Sequence, residues 1–476
     1  MRRIVCLLTA LSLGGGFAYA TEKTVHFGRF GTVTLYYESP RPSHVILFMS
    51  GDGGWNLGVV DMAKALAAND ALVAGVNVVH YLRELESSGD KCSYPAGDFE
   101  ELSKYVQRQL DYSDYVTPVL VGYSSGATLV YAALAQAPSN TFKGAISLGF
   151  CPDLPLTKPM CPGSGLRWKP GPKGKGYIFL PAETLEVPWI ALQGTIDQVC
   201  DAAATEAYVK QVPHGEVVVL PKVGHGFAVQ RRWMPQFKEA FFRILEHKTV
   251  DAPRAPLAEP VKDLPLVEVP TSAPGELMAV HISGDGGWGV TDRGLSAALA
   301  AHGIPVVGLN SLHYFWTRRT AAESASDLER ILRYYLAAWR REKAILIGYS
   351  LGADVLPFIV NRMSPQMQSK VALVALLGPS AEVDFEFHLT DWLGDFSLSS
   401  QSQVEPEIEK LKVRPILCFS GEEDDEAICR DLPPGLARLI VLKGGHRVGG
   451  DFEPIAEAIL KASGVAPKPE SVDDRQ

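Results

Sequence analysis

Six consecutive residues, Ser-Gly-Asp-Gly-Gly-Trp, stand at positions 50–55 of this 476-residue chain and again at 283–288. They are the first of several landmarks that recur in one order. Asn77-x-x-His80-Tyr81 is matched by Asn310-x-x-His313-Tyr314, and Gly122-Tyr123-Ser124-Ser125-Gly126 by Gly348-Tyr349-Ser350-Leu351-Gly352. Gly194-x-x-Asp197 has its counterpart in Gly421-x-x-Asp424, and the glycine-preceded His225 in the glycine-preceded His446. Ordered self-similarity on this scale means one ancestral domain present twice. The length, which alone would permit three domains, is therefore read as two.

Composition sets the boundaries. Residues 249–275 hold six prolines among acidic and small residues, the make-up of a semi-rigid connector. The two domains are accordingly expected at 21–248 and 276–465. The polar, aperiodic stretch 466–476 is read as a disordered tail. At the other end, Arg2 and Arg3 precede an apolar run from Ile4 to Leu13, and Ala18-Tyr19-Ala20 supplies small residues for cleavage. Residues 1–20 thus read as a secretory signal peptide, with an apolar core too short to span a bilayer. The mature chain is expected to be soluble, in the periplasm or outside the cell.

Charge and cysteine content narrow the partners. A formal charge of -9, with lysine and arginine scattered, argues against nucleic acid, which needs a basic stripe, and against a polybasic membrane anchor. Cys6 leaves with the leader. Cys92, Cys151, Cys161 and Cys200 lie in the first half and Cys418 and Cys429 in the second, even numbers that permit disulfides within each half. Cys418 sits in an apolar run and reads equally well as a buried thiol. With no C-x-x-C and no H-E-x-x-H, neither a metal nor another cofactor is expected.

Each copy alternates apolar runs of strand length with amphipathic helical stretches. In the first, Val45–Met49, Leu72–Val79 and Pro118–Tyr123 read as strands, with helices from Val59 to Leu66 and from Ala127 to Gln136. Apolar strands lacking alternation imply a mostly parallel sheet with helices on both faces. The fold expected is α/β, in two tandem domains. Gly-x-Ser-x-Gly between an apolar strand and a helix is the nucleophile elbow of α/β-hydrolases, which makes these α/β-hydrolase-like domains. A serine hydroxyl needs a base to take its proton and an acid to orient that base. In this fold the chain order is serine, acid, histidine, the acid and base each following a late strand. Trp189–Leu192 leads to Asp197 and Val217–Leu220 to His225; Ile416–Phe419 leads to Asp424 and Leu439–Leu442 to His446. The candidate triads are Ser124, Asp197 and His225, then Ser350, Asp424 and His446. Glu422, Glu423 and Asp425 crowd Asp424, which is preferred because it stands as far from its glycine as Asp197 does. Oxyanion donors are expected at the amides of Ser125 and Leu351, and in the glycine loops at Asp52 or Gly53 and Asp285 or Gly286.

The run Gly348-Tyr349-Ser350-Leu351-Gly352-Ala353-Asp354-Val355-Leu356-Pro357-Phe358, the upstream Tyr314-Phe315-Trp316-Thr317-Arg318-Arg319-Thr320, and the loop at 283–288 together resemble the bacterial virulence protein VirJ/AcvB family, closely over about 275–465 and in diverged form in the first copy. The resemblance implies a periplasmic serine ester hydrolase that cleaves aminoacyl-phosphatidylglycerol, a membrane lipid, which would bring the protein to the membrane surface. It also carries a non-catalytic alternative, a scaffold or chaperone for secretion-system proteins. A general carboxylesterase or lysophospholipase is the nearest enzymatic rival, since an elbow does not encode the acyl group. The acidic run with Glu422 and Glu423 is expected either to select the substrate ammonium or to be a solvated loop. His313 and Tyr314, like His80 and Tyr81, are expected to end a strand and line the pocket, or to pack as aromatics. Trp316, Arg318 and Arg319 are candidates for contact with lipid phosphate, or solvated charges at a helix start.

Overall fold

A computed structural model describes residues 21–88, 91–138, 140–247, 260–383, 402–413, 415–446 and 451–464. The sheet of the first copy contains β1 (Thr21–Phe27), β2 (Gly31–Tyr37), β3 (His44–Met49), β4 (Ala71–Val76), β5 (Val119–Tyr123), β6 (Gly144–Leu148), β7 (Trp189–Gly194) and β8 (Gly215–Leu220). Their order is β1-β2-β4-β3-β5-β6-β7-β8. Only β2 runs against its neighbours; β3 to β8 pair in parallel.

Strand β3 shows why its sequence does not alternate. Ile46 and Phe48 enter one core cluster while Leu47 and Met49 enter the other. Both faces of the strand are covered by helices, so both sets of side chains must be apolar.

The second sheet repeats the plan with β9 (Leu266–Val269), β10 (Leu277–Ile282), β11 (Val306–Leu309), β12 (Lys343–Tyr349), β13 (Val371–Leu377), β14 (Ile416–Gly421) and β15 (Arg438–Leu442). The order is β9-β11-β10-β12-β13-β14-β15, with β9 alone antiparallel. Each copy therefore has the α/β-hydrolase fold, and in both the strand carrying the serine is central.

Two expectations change. Strand β9 lies inside the stretch read as a connector. It is short, and Pro265 and Pro270 flank it, which suits an edge strand and hides it among loop residues. The leader, residues 249–259 and the tail 466–476 lie outside the described residues. The run Leu72–Val79 is not one strand either: β4 stops at Val76, and Asn77 caps the helix Val78–Ser87 by accepting from the amides of Val79 and His80. Asn310 caps Ser311–Tyr314 in the same way. The asparagine of the repeated Asn-x-x-His-Tyr motif is thus a helix start, because its side-chain oxygen satisfies otherwise orphaned amides.

The six cysteines from Cys92 onward form Cys92–Cys161, Cys151–Cys200 and Cys418–Cys429, each bridge within its own copy. Cys418 is therefore not a free thiol. The copies meet where the first copy's helix Pro95–Arg108 and the turn after it face the segment following β11. The Arg108 guanidinium lies 4.4 Å over the Trp316 ring, whose Nε1 donates to the Tyr112 carbonyl at 2.8 Å.

Candidate active site

Strand β5 runs straight into the helix Ser125–Gln136, and the turn between them is the single residue Ser124. Ser124 has φ 56° and ψ -121°, and Ser350, between β12 and the helix Leu351–Arg362, has φ 51° and ψ -121°. A side chain in this region costs on the order of 1–3 kcal/mol, a strain that lifts the hydroxyl above the sheet. The flanking glycines allow the turn. A Cβ on Gly122 would stand 2.1 Å from the Gly126 carbonyl oxygen, and one on Gly348 would stand 2.3 Å from that of Gly352.

The distant partners converge on these hydroxyls. Ser124 Oγ is 2.9 Å from His225 Nε2, and His225 Nδ1 is 2.9 Å from Asp197 Oδ2. In the second copy both corresponding distances are 3.0 Å. The acids are buried and the imidazoles partly open, with side-chain exposures of 0% for Asp197 against 18% for His225, and 3% for Asp424 against 38% for His446. This arrangement keeps the acid dry and lets substrate and water reach the base. Burial pushes the Asp197 carboxyl up, but the amides of Cys200 and Val199 and the His225 ring outweigh it and hold it below its ordinary value. Asp424, among its acidic neighbours, is the residue that reaches His446.

The glycine loops close over the serines, Gly54 N–H bonding the Gly51 carbonyl and Gly287 N–H that of Gly284. Gly284, Asp285, Gly286 and Gly287 border a cleft of about 690 Å³ with Ser350 and His446. The glycine at the head of each loop lies close to the nucleophile: a Cβ on Gly51 would lie 3.0 Å from Ser124 Cβ, and one on Gly284 would lie 3.5 Å from Ser350 Cβ. The sequence reading passed over both glycines and named only the two residues that follow each. At the helix starts, the amides of Ser125 and Leu351 occupy the position where a helix leaves its donors unpaired, and the dipole there favours an oxyanion.

Behind the second loop is a polar pair with no counterpart in the first. Asp292 Oδ2 accepts from Gly289 N–H, and its other oxygen lies 3.2 Å from His281 Nε2. Burial pushes the Asp292 carboxyl up to about 7 and the His281 ring down to about 3, so this buried site disfavours charge on both groups. Phe48 and Val59 hold the matching places in the first copy.

The expected substrate-contact residues do not gather at Ser350. Tyr314 is buried and donates to Asp327 at 2.8 Å, as Tyr81 does to Asp98. They pack as aromatics because the capped helix after the strand turns them into the core. His313 pairs with Asp114 of the first copy at 2.8 Å, and Trp316 is sandwiched there too. Arg318, Glu422 and Glu423 are exposed and stand apart from the cleft. The sequence reading also missed the tyrosine before each nucleophile. Tyr123 Oη donates to the His225 carbonyl at 2.9 Å, and the Tyr349 and His446 rings lie 5.8 Å apart. Its recurrence at one position of both elbows was the available signal. Asp197, His225 and Cys200 offer ligand atoms within 4.8 Å of one another, but the Cys200 sulfur is bonded to Cys151 and is no thiolate.

The family described as bacterial virulence protein (VirJ) matches residues 43–148 and again 276–465. The chain belongs to this family. The matched segments hold the first glycine loop and elbow, and the whole triad of the second copy. No curated protein sequence matches this VirJ-family chain. Among solved structures, Est1E from Butyrivibrio proteoclasticus is 14% identical with a TM-score of 0.32, over 47% of this chain and 99% of its own. A putative dienelactone hydrolase from Klebsiella pneumoniae is 15% identical with a TM-score of 0.34, over 48% and 96%. An α/β serine hydrolase without lid from Xanthomonas campestris is 19% identical with a TM-score of 0.31, over 48% and 96%.

Proposed function

We propose that this protein is a serine ester hydrolase of the periplasm that cleaves the ester of aminoacyl-phosphatidylglycerol. The observation that carries the hydrolase reading is the hydrogen-bonded chain from Ser350 through His446 to Asp424, with the same chain at Ser124. Ser350 Oγ attacks the ester carbonyl while His446 Nε2 takes the hydroxyl proton, and the carbonyl oxygen becomes an oxyanion facing the Leu351 amide and the glycine loop. Collapse breaks the bond to the glycerol oxygen, which leaves with the proton from His446 as phosphatidylglycerol. Water then attacks the aminoacyl-serine with His446 again as base, and the amino acid departs as Ser350 regains its proton.

The lipid substrate rests on the resemblance to VirJ/AcvB and on charge at the cleft. Glu100 and Asp285 line it, and together with Glu101 outside it they share the ammonium of Lys104. Excess negative charge beside the scissile position favours a substrate that carries an ammonium. The acidic residues doing this differ from those expected at 422–426. Three disulfides support an oxidising compartment, and no described helix is long and apolar enough to cross a membrane.

Full-length protein without its leader, with Ser350→Ala, Ser124→Ala and the double variant, is incubated with vesicles containing lysyl- or alanyl-phosphatidylglycerol, and free amino acid is measured. Release that disappears in the double variant is expected. Equal release by the double variant would overturn the serine mechanism. Cleavage of simple chromogenic esters without any amino acid release would overturn the lipid substrate and leave a general esterase.

A further inference from the structure

The two triads have the same geometry, but the loops above them are held differently. In the first copy the described contacts of the glycine loop stay within that copy: Trp55 Nε1 donates to Tyr36 Oη at 3.2 Å and Asn56 Nδ2 to the Gly53 carbonyl at 2.6 Å. In the second copy the loop is gripped from outside. Lys104, 7% exposed on the first copy's helix Pro95–Arg108, places its ammonium 3.6 Å from Asp285 while also meeting Glu100 at 3.1 Å and Glu101 at 2.9 Å. Asn140 Nδ2 of the first copy donates to the Trp288 carbonyl at 2.6 Å. These two contacts bracket Gly286 and Gly287. A Cβ on Gly286 would come within 3.5 Å of Glu100 Oε1, so the first copy's surface lies directly against that residue.

The cleft at Ser350 is also a joint construction. One side is Gly284 to Gly287, Ser350 and His446; the other comes from the first copy, with Leu134, Pro138, Phe142, Leu185 and Val187 giving it an apolar floor. A cleft of about 690 Å³ is within the range of roughly 300–1,000 Å³ that holds small-molecule ligands.

Glycine-rich loops lose much entropy when ordered, yet oxyanion donors work only when fixed before the reaction. We propose that the first copy serves as the positioning half of the second copy's active site, with Lys104 and Asn140 clamping the oxyanion loop from both ends and residues of the 134–138, 140–142 and 182–187 segments forming the apolar floor of its substrate cleft. Lys104 and Asn140 touch no reacting atom; they act through Asp285 and Trp288. The relation is one-sided, so the two sites differ in character despite their matching triads: the Ser350 site depends on its neighbour and the Ser124 site does not. This inference rests on Ser350 being a nucleophile, but not on the identity of the ester.

The test uses the full-length chain. Lys104→Met, Lys104→Arg and Asn140→Ala are made with both serines intact, for labelling, and in a Ser124→Ala background, for kinetics. A fluorophosphonate labels both serines, and the rate at each is read by peptide mass spectrometry. Kinetics with p-nitrophenyl butyrate separate kcat from KM. Expected for Lys104→Met and Asn140→Ala is a fall of about tenfold or more in kcat and in Ser350 labelling. KM should stay within about twofold, Ser124 labelling should be unchanged, and Lys104→Arg should recover most of the loss. Unchanged kcat in both Lys104→Met and Asn140→Ala, or a parallel slowing at Ser124 and Ser350, would overturn the clamp. Should Lys104→Met not fold, Asn140→Ala decides, because that residue is only half-buried. Failure of the unsubstituted chain to be labelled at Ser350 while Ser124 reacts would instead defeat the reading of Ser350 as nucleophile, and the clamp with it.

Discussion

Asp354→Asn isolates one buried carboxyl beside the second nucleophile. Asp354 lies on the first turn of the helix that follows Ser350, and its amide bonds the Ser350 carbonyl at 3.1 Å. Its carboxyl accepts from Ser380 N–H at 2.6 Å and Ser380 Oγ at 2.7 Å and is 6% exposed. Burial pushes it up to about 6 from 3.8, against the opposing pull of the Ser380 bonds and the nearby His446 ring. Because the folded value is the higher one, the native state keeps a proton between about pH 4 and 6 that the unfolded chain releases. Stability from this group is full below that window and is lost as pH rises through it. At about 1.4 kcal/mol per pH unit, the loss is about 3 kcal/mol. An asparagine can still accept from Ser380 N–H and donate to Ser380 Oγ, but it does not titrate. The stability of Asp354→Asn minus that of the unsubstituted protein should therefore rise by about 2.4 kcal/mol between pH 4 and 7.5. Urea unfolding followed by tryptophan fluorescence across that range measures it, and titrating groups that do not interact with Asp354 cancel in the difference. A difference that stays flat with pH would refute the argument, whatever its absolute value.

Three further outcomes follow from the same geometry. Asp424→Asn and Asp197→Asn should each lower kcat at their own site by about 10³–10⁴-fold, read on simple esters with the other serine replaced by alanine; an equal loss at both sites would contradict independent triads. Gly352→Ala would place a Cβ 2.1 Å from the Ile282 carbonyl oxygen, and a loss of about 3 kcal/mol with reduced Ser350 labelling is expected from melting curves and phosphonate reaction. Replacing both Cys151 and Cys200 with serine opens a bridge spanning 49 residues, worth about 4 kcal/mol in the chain-entropy account. It also frees the loop whose Cys200 amide holds Asp197 at 3.0 Å, so Ser124 labelling should slow while Ser350 labelling does not.

Much of this molecule is set by short stretches of sequence. The strand, tight turn and helix around Ser124 and Ser350 are local: apolar runs too long to be covered on one face, and glycines where a Cβ would strike backbone. Chain order then names the acids and bases, because in this fold the ends of successive late strands come together above the sheet. The acidic run around Asp424 was harder, and repetition resolved it, since the copy with a single candidate calibrates the copy with several. The Asn-x-x-His-Tyr motif was misread because Val78 and Val79 prolong a β-branched run, while the capping bond of Asn77 that ends the strand leaves no mark in hydrophobic periodicity.

What only the tertiary structure decided is everything that depends on one copy meeting the other. Lys104 and Asn140 carry no motif, and they reach the second copy's loop only because two folded units dock in one orientation. The same docking sets Trp316 and His313 against the first copy, at Tyr112 and Asp114. Periodicity and motif spacing record how a chain packs against its own neighbouring elements. The mutual placement of two complete domains is fixed by side chains scattered over exposed surfaces, where no repeating pattern is required and none is left to read.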